Sequence, residues 1–550
     1  MRECCLSFRI LYYIMKKYLD LFVAFLSVSL FVGCGDMLDD NAGKKNDDNG
    51  HNVYDGLSIH YTKSGNMPIY IYSDDIFGAD IVSHEYSDGE GCIVFASPPT
   101  KIGKDAFSYC YALTGITIPE SIVSIGEGAF EGCRCLTSIT IPDSVVSIGG
   151  RAFLGCDNLT NIIMGNGVRS IGFTAFSGCD SLTDFIIPDG ITSIEKYVFY
   201  SCDKLTDITI PDSVESIGDF AFYGCAGLKD IVIPGSVVSI GKYAFSGAGL
   251  TSLVVSEGVV SIGEHAFDGC SCLKNTVIPS SITSVAPCAF EGCTGECIVN
   301  CDIKSPEGNC GWFYKSSFTK VTIGDCVASI GGYAFLDCAS LTHIAIPDNV
   351  NSIGNGAFSG CCSLTDITIP DNITRIGHHV FLGCSSLIDF VVNKNITSIG
   401  NYAFSECIGL KSITIPNNVV SIGRQAFYAC TGECFIDCDI PDDNSMFYYS
   451  QFEKIIVGDN VALIGANAFH RCDFLTSVVI GSRVAKIGEF ALNNSTLNNI
   501  YCKAQTPPEI DPDAFIYWEQ CVLYVPAGCK SVYSSASQWS KAKSIMEMDF

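Results

Sequence analysis

The chain has 550 residues and contains 59 acidic against 32 basic residues, which gives a formal net charge of −27. This surplus of negative charge repels the phosphate backbone of nucleic acids and is not attracted to an anionic membrane surface, so it argues against DNA and RNA as partners. The length alone would suggest several globular domains, but a continuous internal repeat favours one elongated domain.

The first 34 residues have the features of an export signal. Two lysines, an apolar stretch and the sequence LFVGC follow one another in "MKKYLDLFVAFLSVSLFVGC", which resembles a bacterial lipoprotein signal with Cys34 as the lipidated residue. The resemblance implies that the chain meets the membrane through a lipid anchor only. The alternative is a short membrane-spanning helix. The residues before Met15 fit no part of a signal, so translation is expected to begin at Met15.

Residues 35–56 are polar and glycine-rich, and they are predicted to form a flexible tether. The acidic residues of "GDMLDD", directly behind Cys34, resemble the export tag of surface lipoproteins in some Gram-negative anaerobes. This resemblance implies a lipid-anchored protein of the cell envelope, displayed on the outer membrane and exposed at the surface.

Residues 101–526 contain a repeat that is marked by an Ala-Phe pair. The phenylalanine recurs every 22 or 23 residues from Phe107 to Phe427, and the series continues through Phe469, Leu492 and Phe515. Two stretches without the motif still supply a phenylalanine close to the expected place, namely Phe313 in "GWFYKSSF" and Phe447 in "SMFYYSQF". Because a fixed period indicates stacked structural units, these two stretches are interpreted as degenerate turns of one array.

Each part of the unit has a physical interpretation. "LTSITIP" alternates apolar and polar residues, which predicts a half-buried strand that ends at the proline. "VVSIG" predicts a second short strand, and its glycine is expected to adopt positive φ. "RAFLGC" is expected to form one helical or 3-10 turn whose Phe and Cys fill the core. The glycines in question are Gly126, Gly149, Gly172, Gly218 and Gly241.

A single unit of this length cannot bury enough apolar surface to fold alone, so the units must stack. The predicted fold class is therefore a repeat solenoid, mostly β with short helical or 3-10 turns and about 23 residues per turn, in roughly 18 turns.

The repeat "LTSITIPDSVVSIGGRAFLGC" resembles the BspA-type leucine-rich repeat of bacterial and some protist surface proteins. The variants "TGECIVNCDI" and "TGECFIDCDI" resemble the alternate repeat of that family. "FGADIVSHEYSDGEGCIVF" is similar to the segment that opens such arrays, which implies an N-terminal cap segment over 57–100, and "YCKAQTPPEI" with "VLYVPAG" is similar to the segment that closes them. The fold implied is a leucine-rich-repeat solenoid.

The same resemblance implies a binding function, because known members act as adhesins or host-matrix binders. The expected partner is an unidentified extracellular protein or glycan, with no cofactor. The alternative is a non-catalytic structural or spacer component of the cell envelope. An enzyme is not expected, because the sequence contains no HExxH, GxSxG or Walker motif and its eight histidines are scattered, with His378 and His379 the one adjacent pair.

The chain has 31 cysteines, and 14 of them stand three residues after a repeat phenylalanine. One cysteine per turn at constant phase predicts a buried column in which thiols pack as compact hydrophobes. Scattered disulfides are one alternative, and metal or redox chemistry is another. Pairs such as Cys133/Cys135 and Cys270/Cys272 lack the four-ligand grouping of a zinc site, so no metal site is predicted.

The third and fifth positions of the strand pattern LxxIxI are expected to face outwards on a concave sheet. An exposed apolar stripe beside a row of carboxylates is typical of a protein-binding site. The alternative is that β-branched residues only stabilise the sheet by cross-strand pairing, while the aspartates keep it soluble. The predicted ligand-binding residues are the acidic Asp184, Asp207 and Asp230 and the apolar Ile163, Ile186, Val232, Val254 and Val277.

Residues 527–550 depart from the repeat and are predicted to cap the last turn, because an open strand edge invites pairing with another chain. A short amphipathic helix is expected to place Val532, Tyr533 and Trp539 over the exposed core, and "SIMEM" is expected to pair along the edge. The alternative is an unstructured tail.

Overall fold

The computed structural model describes residues 44–46, 52–54, 56–71, 74–305, 310–442, 445–494 and 496–550. The chain divides into two compact units, Met1–Asp55 and Gly56–Phe550. In the first unit, two strands that fall within the predicted tether pair in antiparallel fashion, namely Lys44–Asn46 and Asn52–Tyr54. Cys34 and Met15 lie outside the described residues. Within the described part of the chain, no helix has both the length and the apolar character needed to cross a membrane.

The second unit begins with a four-stranded antiparallel sheet. Its strands lie in the order Ile81–Ser87, Glu90–Phe95, Ser58–Lys63 and Leu113–Thr117. The last of these strands belongs to the first turn of the repeat, so this sheet shares one strand with the array. A 3-10 helix, Asp74–Phe77, places the Phe77 ring 5.9 Å from that of Phe107, which extends the repeat core into this segment.

The array is a β-solenoid of about 19 turns with about 23 residues per turn and little helix, so the predicted fold class is confirmed. Each regular turn contributes one strand to each of two columns, and neighbouring strands of a column are parallel. We call these the first and second strand columns. The first column comprises Leu113–Thr117, Ser138–Thr140, Asn161–Ile163, Asp184–Ile186, Asp207–Thr209, Asp230–Ile233, Ser252–Val255, Asn275–Ile278, Thr294–Val299, Ser317–Ile323, His343–Ala345, Asp389–Val391, Ser412–Ile415, Thr431–Ile436, Gln451–Val457, Ser477–Ile480, Asn499–Cys502 and Val522–Pro526.

The strands of the second column are two residues long, and most of them consist of a serine followed by a buried isoleucine. They are Lys101–Ile102, Ser124–Ile125, Ser147–Ile148, Ser170–Ile171, Ser193–Ile194, Ser216–Ile217, Ser239–Ile240, Ser261–Ile262, Ser284–Val285, Ser329–Ile330, Ser352–Ile353, Arg375–Ile376, Ser398–Ile399, Ser421–Ile422, Leu463–Ile464, Lys486–Ile487 and Glu509–Ile510.

The repeat phenylalanines form a continuous buried stack through the core. Ring centroids of successive members lie between 5.0 and 5.8 Å apart from Phe107 to Phe469. Phe313 stacks between Phe290 and Phe335, at 5.4 and 5.0 Å. Phe447 lies 5.3 Å from Phe427. Both degenerate turns are therefore full members of the stack, as the spacing predicted.

The expectation of positive φ at the glycine that ends "VVSIG" was wrong. None of these glycines has a left-handed φ. They are needed because two turns approach closely: a Cβ atom on Gly149 would lie 2.5 Å from the backbone nitrogen of Glu127. A Cβ atom on Gly172 would lie 2.4 Å from the nitrogen of Gly150. Any side chain at this corner would therefore push neighbouring turns apart.

The segment "RAFLGC" is a pair of tight turns and not the helical or 3-10 turn that we expected. Arg151, two residues before Phe153, has a φ of 56°, and Gly155, two residues after it, has a φ of 67°. The Leu154 N–H donates to the Arg151 carbonyl at 3.1 Å, and the Cys156 N–H donates to that of Phe153 at 3.2 Å. A left-handed residue on each side of Phe153 therefore ends each turn before a helix can start.

The cysteine column is buried from Cys133 onwards, as predicted, and the described cysteines are free thiols. The thiols also do more than pack: the Cys156 Sγ donates to the carbonyl of Phe130, one turn back, at 3.2 Å. The same contact recurs along the array, for example from Cys225 to Phe199 at 3.1 Å. Burial raises the pKa of Cys156 and that of Cys225 to about 12, so these thiols remain protonated donors at neutral pH.

The C-terminal residues fold over the last turn. Helix Lys530–Ser535 follows strand Val522–Pro526, and strand Ser544–Met548 pairs in parallel with that strand. The Tyr533 hydroxyl donates to the Ala504 carbonyl at 2.7 Å, and the Trp539 Nε1 donates to the Pro508 carbonyl at 3.0 Å. Both rings are buried, whereas Val532 is exposed, so its predicted place over the core was wrong. Short 3-10 helices at Ser445–Phe447, Trp518–Gln520 and Trp539–Lys541 complete the helical elements of the described chain.

We predict that deleting residues 527–550 causes aggregation or loss of cooperative unfolding. The deletion uncovers the edge of Val522–Pro526 and removes Tyr533 and Trp539 from the core. Size-exclusion chromatography and thermal melting measure the effect, and Val532→Ala is the control because Val532 is exposed. A truncated chain that stays monomeric with an unchanged melting curve would contradict the capping role.

Candidate ligand-binding face

The outward positions of the first strand column form the face on which the sequence placed its ligand-binding residues. Ile186 is 69% exposed and Val232 is 58% exposed, while their neighbours on both sides in the sequence are buried. This alternation arises because successive side chains of a strand point to opposite sides. Of the predicted residues, Asp184, Ile186, Asp230, Val232, Val254 and Val277 are exposed, and Ile163 and Asp207 are half-buried.

Four apolar residues on this face lie side by side in consecutive turns. Val232 is in register with Val254, Val254 with Val277, and Val277 with Ile298. We call these four residues the valine stripe. Ile298 was missed from the sequence because it lies in the variant repeat "TGECIVNCDI", where the LxxIxI pattern is lost. Strand alternation was the signal that could have identified it. Cys297 and Val299 lie two residues apart and face inwards, which turns Ile298 outwards.

The predicted acidic column is less continuous than the sequence suggested. Asp184 is in register with Asp207, but the strand pairing breaks before the next turn, so Asp230 belongs to another sheet. Along that second sheet, Asp230 is in register with Ser252. Farther along, the Lys320 Nζ lies 3.3 Å from the Glu296 carboxylate. Acidic groups therefore border the valine stripe near Asp230, whereas the far end of the stripe carries an ion pair.

This arrangement has the chemistry of a surface that could bind a partner. Adjacent β-branched side chains present an apolar surface of limited area. A carboxylate at its border favours basic or hydrogen-bond-donating groups on the partner. The same residues also pair across strands and stabilise the sheet, whether or not anything binds.

A cavity of about 390 Å³ opens along the second strand column, and sequence reasoning did not anticipate it. It spans the place where the pairing of that column is interrupted between Ser352–Ile353 and Arg375–Ile376, and it extends back to Ile303. Lys304 and Arg375 contribute the cationic groups of its lining, and the Lys304 Nζ already donates to the Thr283 carbonyl at 2.7 Å.

One group of metal-ligating side chains comes together at the corner between turns, although none was predicted. Ligand atoms of His265, Cys288 and Glu291 all lie within 4.8 Å of one another. Cys288 stands outside the main cysteine column, because it lies two residues before its phenylalanine. The 23-residue separation of His265 and Cys288 hid the group from a search for closely spaced ligands.

Comparison with known families agrees with the fold. A sequence model of the BspA type leucine rich repeat region (6 copies) matches residues 100–204, 192–305, 309–433 and 443–546, which is most of the chain. The chain belongs to the BspA-type leucine-rich repeat family. Members of this family are generally cell-surface proteins, and their repeats are typically non-catalytic.

Several solved structures of leucine-rich repeat proteins are similar to this BspA-type chain. One from Bacteroides ovatus is 25% identical over 68% of this chain and 89% of that one, with a TM-score of 0.44. A leucine rich cell surface protein from Faecalibacterium prausnitzii is 30% identical over 68% and 86%, with a TM-score of 0.32. The pneumococcal vaccine antigen PcpA is 18% identical over 82% and 85%, with a TM-score of 0.25. A comparison with curated proteins found no match.

Proposed function

We propose that this chain is a non-catalytic, surface-anchored binding protein that recognises an extracellular protein through the valine stripe, and that it acts as an adhesin. The observation that carries the proposal is the set of four exposed apolar side chains in register across consecutive turns. β-branched residues can stabilise a sheet from the side that faces the core. A row of exposed ones also offers an apolar surface that a partner would desolvate on binding.

A protein partner fits this face better than a glycan. Recognition of sugars relies on hydrogen-bonding groups and aromatic rings, whereas the centre of this stripe consists of aliphatic side chains. Asp230 at one border of the stripe is exposed and would suit a basic or amide group on the rim of the partner. The net charge of −27 supports the same choice of partner, because it would favour proteins with basic surfaces.

The proposal includes attachment to the outer membrane through a lipid on Cys34. The resemblance of residues 15–34 to a lipoprotein signal supports this part, together with the general surface location of the family. A lipid anchor and the polar segment that follows it would hold the solenoid outside the membrane, where its faces are accessible to other cells or matrix.

We predict that Val232→Lys combined with Val254→Lys weakens binding roughly tenfold or more, because charges at the centre of an interface remove a hot spot worth about 1.4 kcal/mol or more. Surface plasmon resonance with the mature chain against a panel of purified matrix proteins and immobilised glycans provides the measurement. Val238→Lys is the matched control, because Val238 is an equally exposed valine beside the second strand column.

Two results would contradict the proposed function. Unchanged matrix-protein binding by the double variant would show that another surface carries the interaction. Binding to glycans alone, or to no member of the panel, would favour a glycan receptor or the structural spacer over a protein-binding adhesin.

We predict that Cys34 carries the lipid. Metabolic labelling of a Gram-negative host with a fatty-acid analogue should label the wild-type chain and place it in the membrane fraction. Cys34→Ala should lose both properties, and Cys272→Ala should keep both because Cys272 is an exposed cysteine of the repeat region. Equal labelling of the Cys34 variant would refute lipid anchoring at this residue.

A further inference from the structure

The solenoid places equivalent positions of successive turns next to each other, and one such pair combines two metal-ligating residues. His265 and Cys288 each lie two residues before the repeat phenylalanine of their turn. Both have left-handed backbones, with φ of 53° and 58°. The His265 N–H lies 3.4 Å from the Pro287 carbonyl, so the two turns are joined by the backbone beside this pair.

A carboxylate completes the group from within the second turn. The Glu291 N–H donates to the Cys288 carbonyl at 3.2 Å, and this tight turn brings both side chains to the same side. The Glu291 Oε2 lies 3.7 Å from the His265 Nδ1. An imidazole nitrogen, a thiol sulfur and a carboxylate oxygen therefore face one another within 4.8 Å.

The imidazole of His265 is held in place by stacking, but its Nδ1 has no hydrogen-bond partner. The ring of His265 stacks on that of Tyr243, with centroids 4.7 Å apart and planes 2° from parallel. The His265 Nδ1 is buried and makes no hydrogen bond, although the Asp268 Oδ2 lies only 3.4 Å away. A buried polar atom without a partner costs free energy, so a group that binds Nδ1 would stabilise this corner.

We propose that His265, Cys288 and Glu291 bind a Zn²⁺ ion that joins the two turns. Zinc takes nitrogen, sulfur and oxygen ligands together, whereas Ca²⁺ and Mg²⁺ prefer oxygen alone. Tetrahedral zinc separates its donor atoms by roughly 3.4–3.8 Å, so the three side chains need to move inwards by about 1 Å or less. On binding, the Cys288 S–H bond breaks, its proton passes to solvent and the sulfur keeps the electron pair for the metal.

A fourth ligand is available from the following turn. Cys310 lies one turn after Cys288 and its thiol interacts with the Cys288 thiol. Cys310 would close the zinc coordination as a structural site. The metal would then link three consecutive turns.

The location gives the ion a structural role. In the described part of the second strand column, pairing stops after Ser284–Val285 and resumes at Ser329–Ile330, with only a single bridge from Ile303 to Ile330 between them. A metal at Cys288 lies next to this interruption and would replace contacts between turns that the missing strand no longer provides. This role is independent of ligand binding at the valine stripe.

Another turn provides a matched comparison. His379 occupies the position equivalent to His265, with a φ of 58°. Its ring stacks on Tyr402, which takes the place of Cys288, and Leu382 takes the place of Asp268. His379 should therefore bind no zinc, although its backbone is also left-handed and its ring is also stacked, here on the following turn instead of the preceding one.

The test uses the full mature chain, purified under reducing conditions, stripped with a chelator and then incubated with Zn²⁺. After gel filtration, elemental analysis should find about one tightly bound zinc per chain, as for a structural site. Co²⁺ in place of Zn²⁺ should give a thiolate-to-cobalt charge-transfer band. His265→Ala, Cys288→Ser and Glu291→Gln should each lose the bound metal, whereas His379→Ala and Cys272→Ser should retain it.

A thermal melt separates loss of the site from loss of the fold. Zn²⁺ should raise the melting temperature of the wild type and leave that of Cys288→Ser unchanged, because a ligand stabilises only the state that binds it. Glu291→Gln, at a half-buried surface position, tests the site if Cys288→Ser fails to fold. The proposal is overturned if the wild type retains no zinc, if Cys288→Ser retains as much as the wild type, or if mass spectrometry of the chain from its native envelope finds a Cys288–Cys310 disulfide.

Discussion

The close contact between one turn and the next is the constraint on which this whole structure depends. A 23-residue turn has too little apolar surface to fold alone, so its core must be covered by its neighbours on both sides. Stacked phenylalanine rings at 5.0 to 5.8 Å, thiol-to-carbonyl hydrogen bonds and strand pairing all cross the same narrow gap. The glycine at Gly149 or Gly172 has to be a glycine because a side chain would widen that gap.

The same constraint determines the surfaces. Residues 22 or 23 positions apart in sequence become neighbours, so a preference repeated along the chain becomes a stripe, such as Val232, Val254 and Val277. A departure from the repeat becomes a local site for the same reason. Cys288 follows His265 at one period, so the corner that holds aromatic rings in the three preceding turns acquires a nitrogen and a sulfur side by side.

The periodic features of the molecule could be predicted from the sequence, and the features that depend on contacts between turns could not. Period alone placed Phe313 and Phe447 in the core, and alternation alone exposed Ile186 and Val232. A glycine that recurs at one place in each repeat looks the same in the sequence whether the backbone needs positive φ there or two turns approach each other closely. The prediction of positive φ at Gly149 was wrong for this reason.

The hydrogen bond from Cys156 to Phe130 was also out of reach, because it depends on the rotation of one turn against the next. The break between Asp207 and Asp230 and the group around Cys288 are of the same kind. Motif searches expect ligands a few residues apart, whereas in a solenoid the relevant spacing is one full period.

Hydrogen exchange at the degenerate turns tests most directly whether the array is one continuous stack. At the degenerate turn around Phe313, the Phe290 N–H donates to the Trp312 carbonyl at 3.2 Å, and the Phe313 N–H donates to the Ala334 carbonyl at 3.3 Å. Mass spectrometry should find peptides around Phe313 protected to a similar degree as those around Phe222, whose amide donates to Ala244 at 2.7 Å. Exchange around Phe313 at the rate of an unstructured chain, with the flanking turns protected, would contradict a continuous stack and divide the solenoid into separate domains.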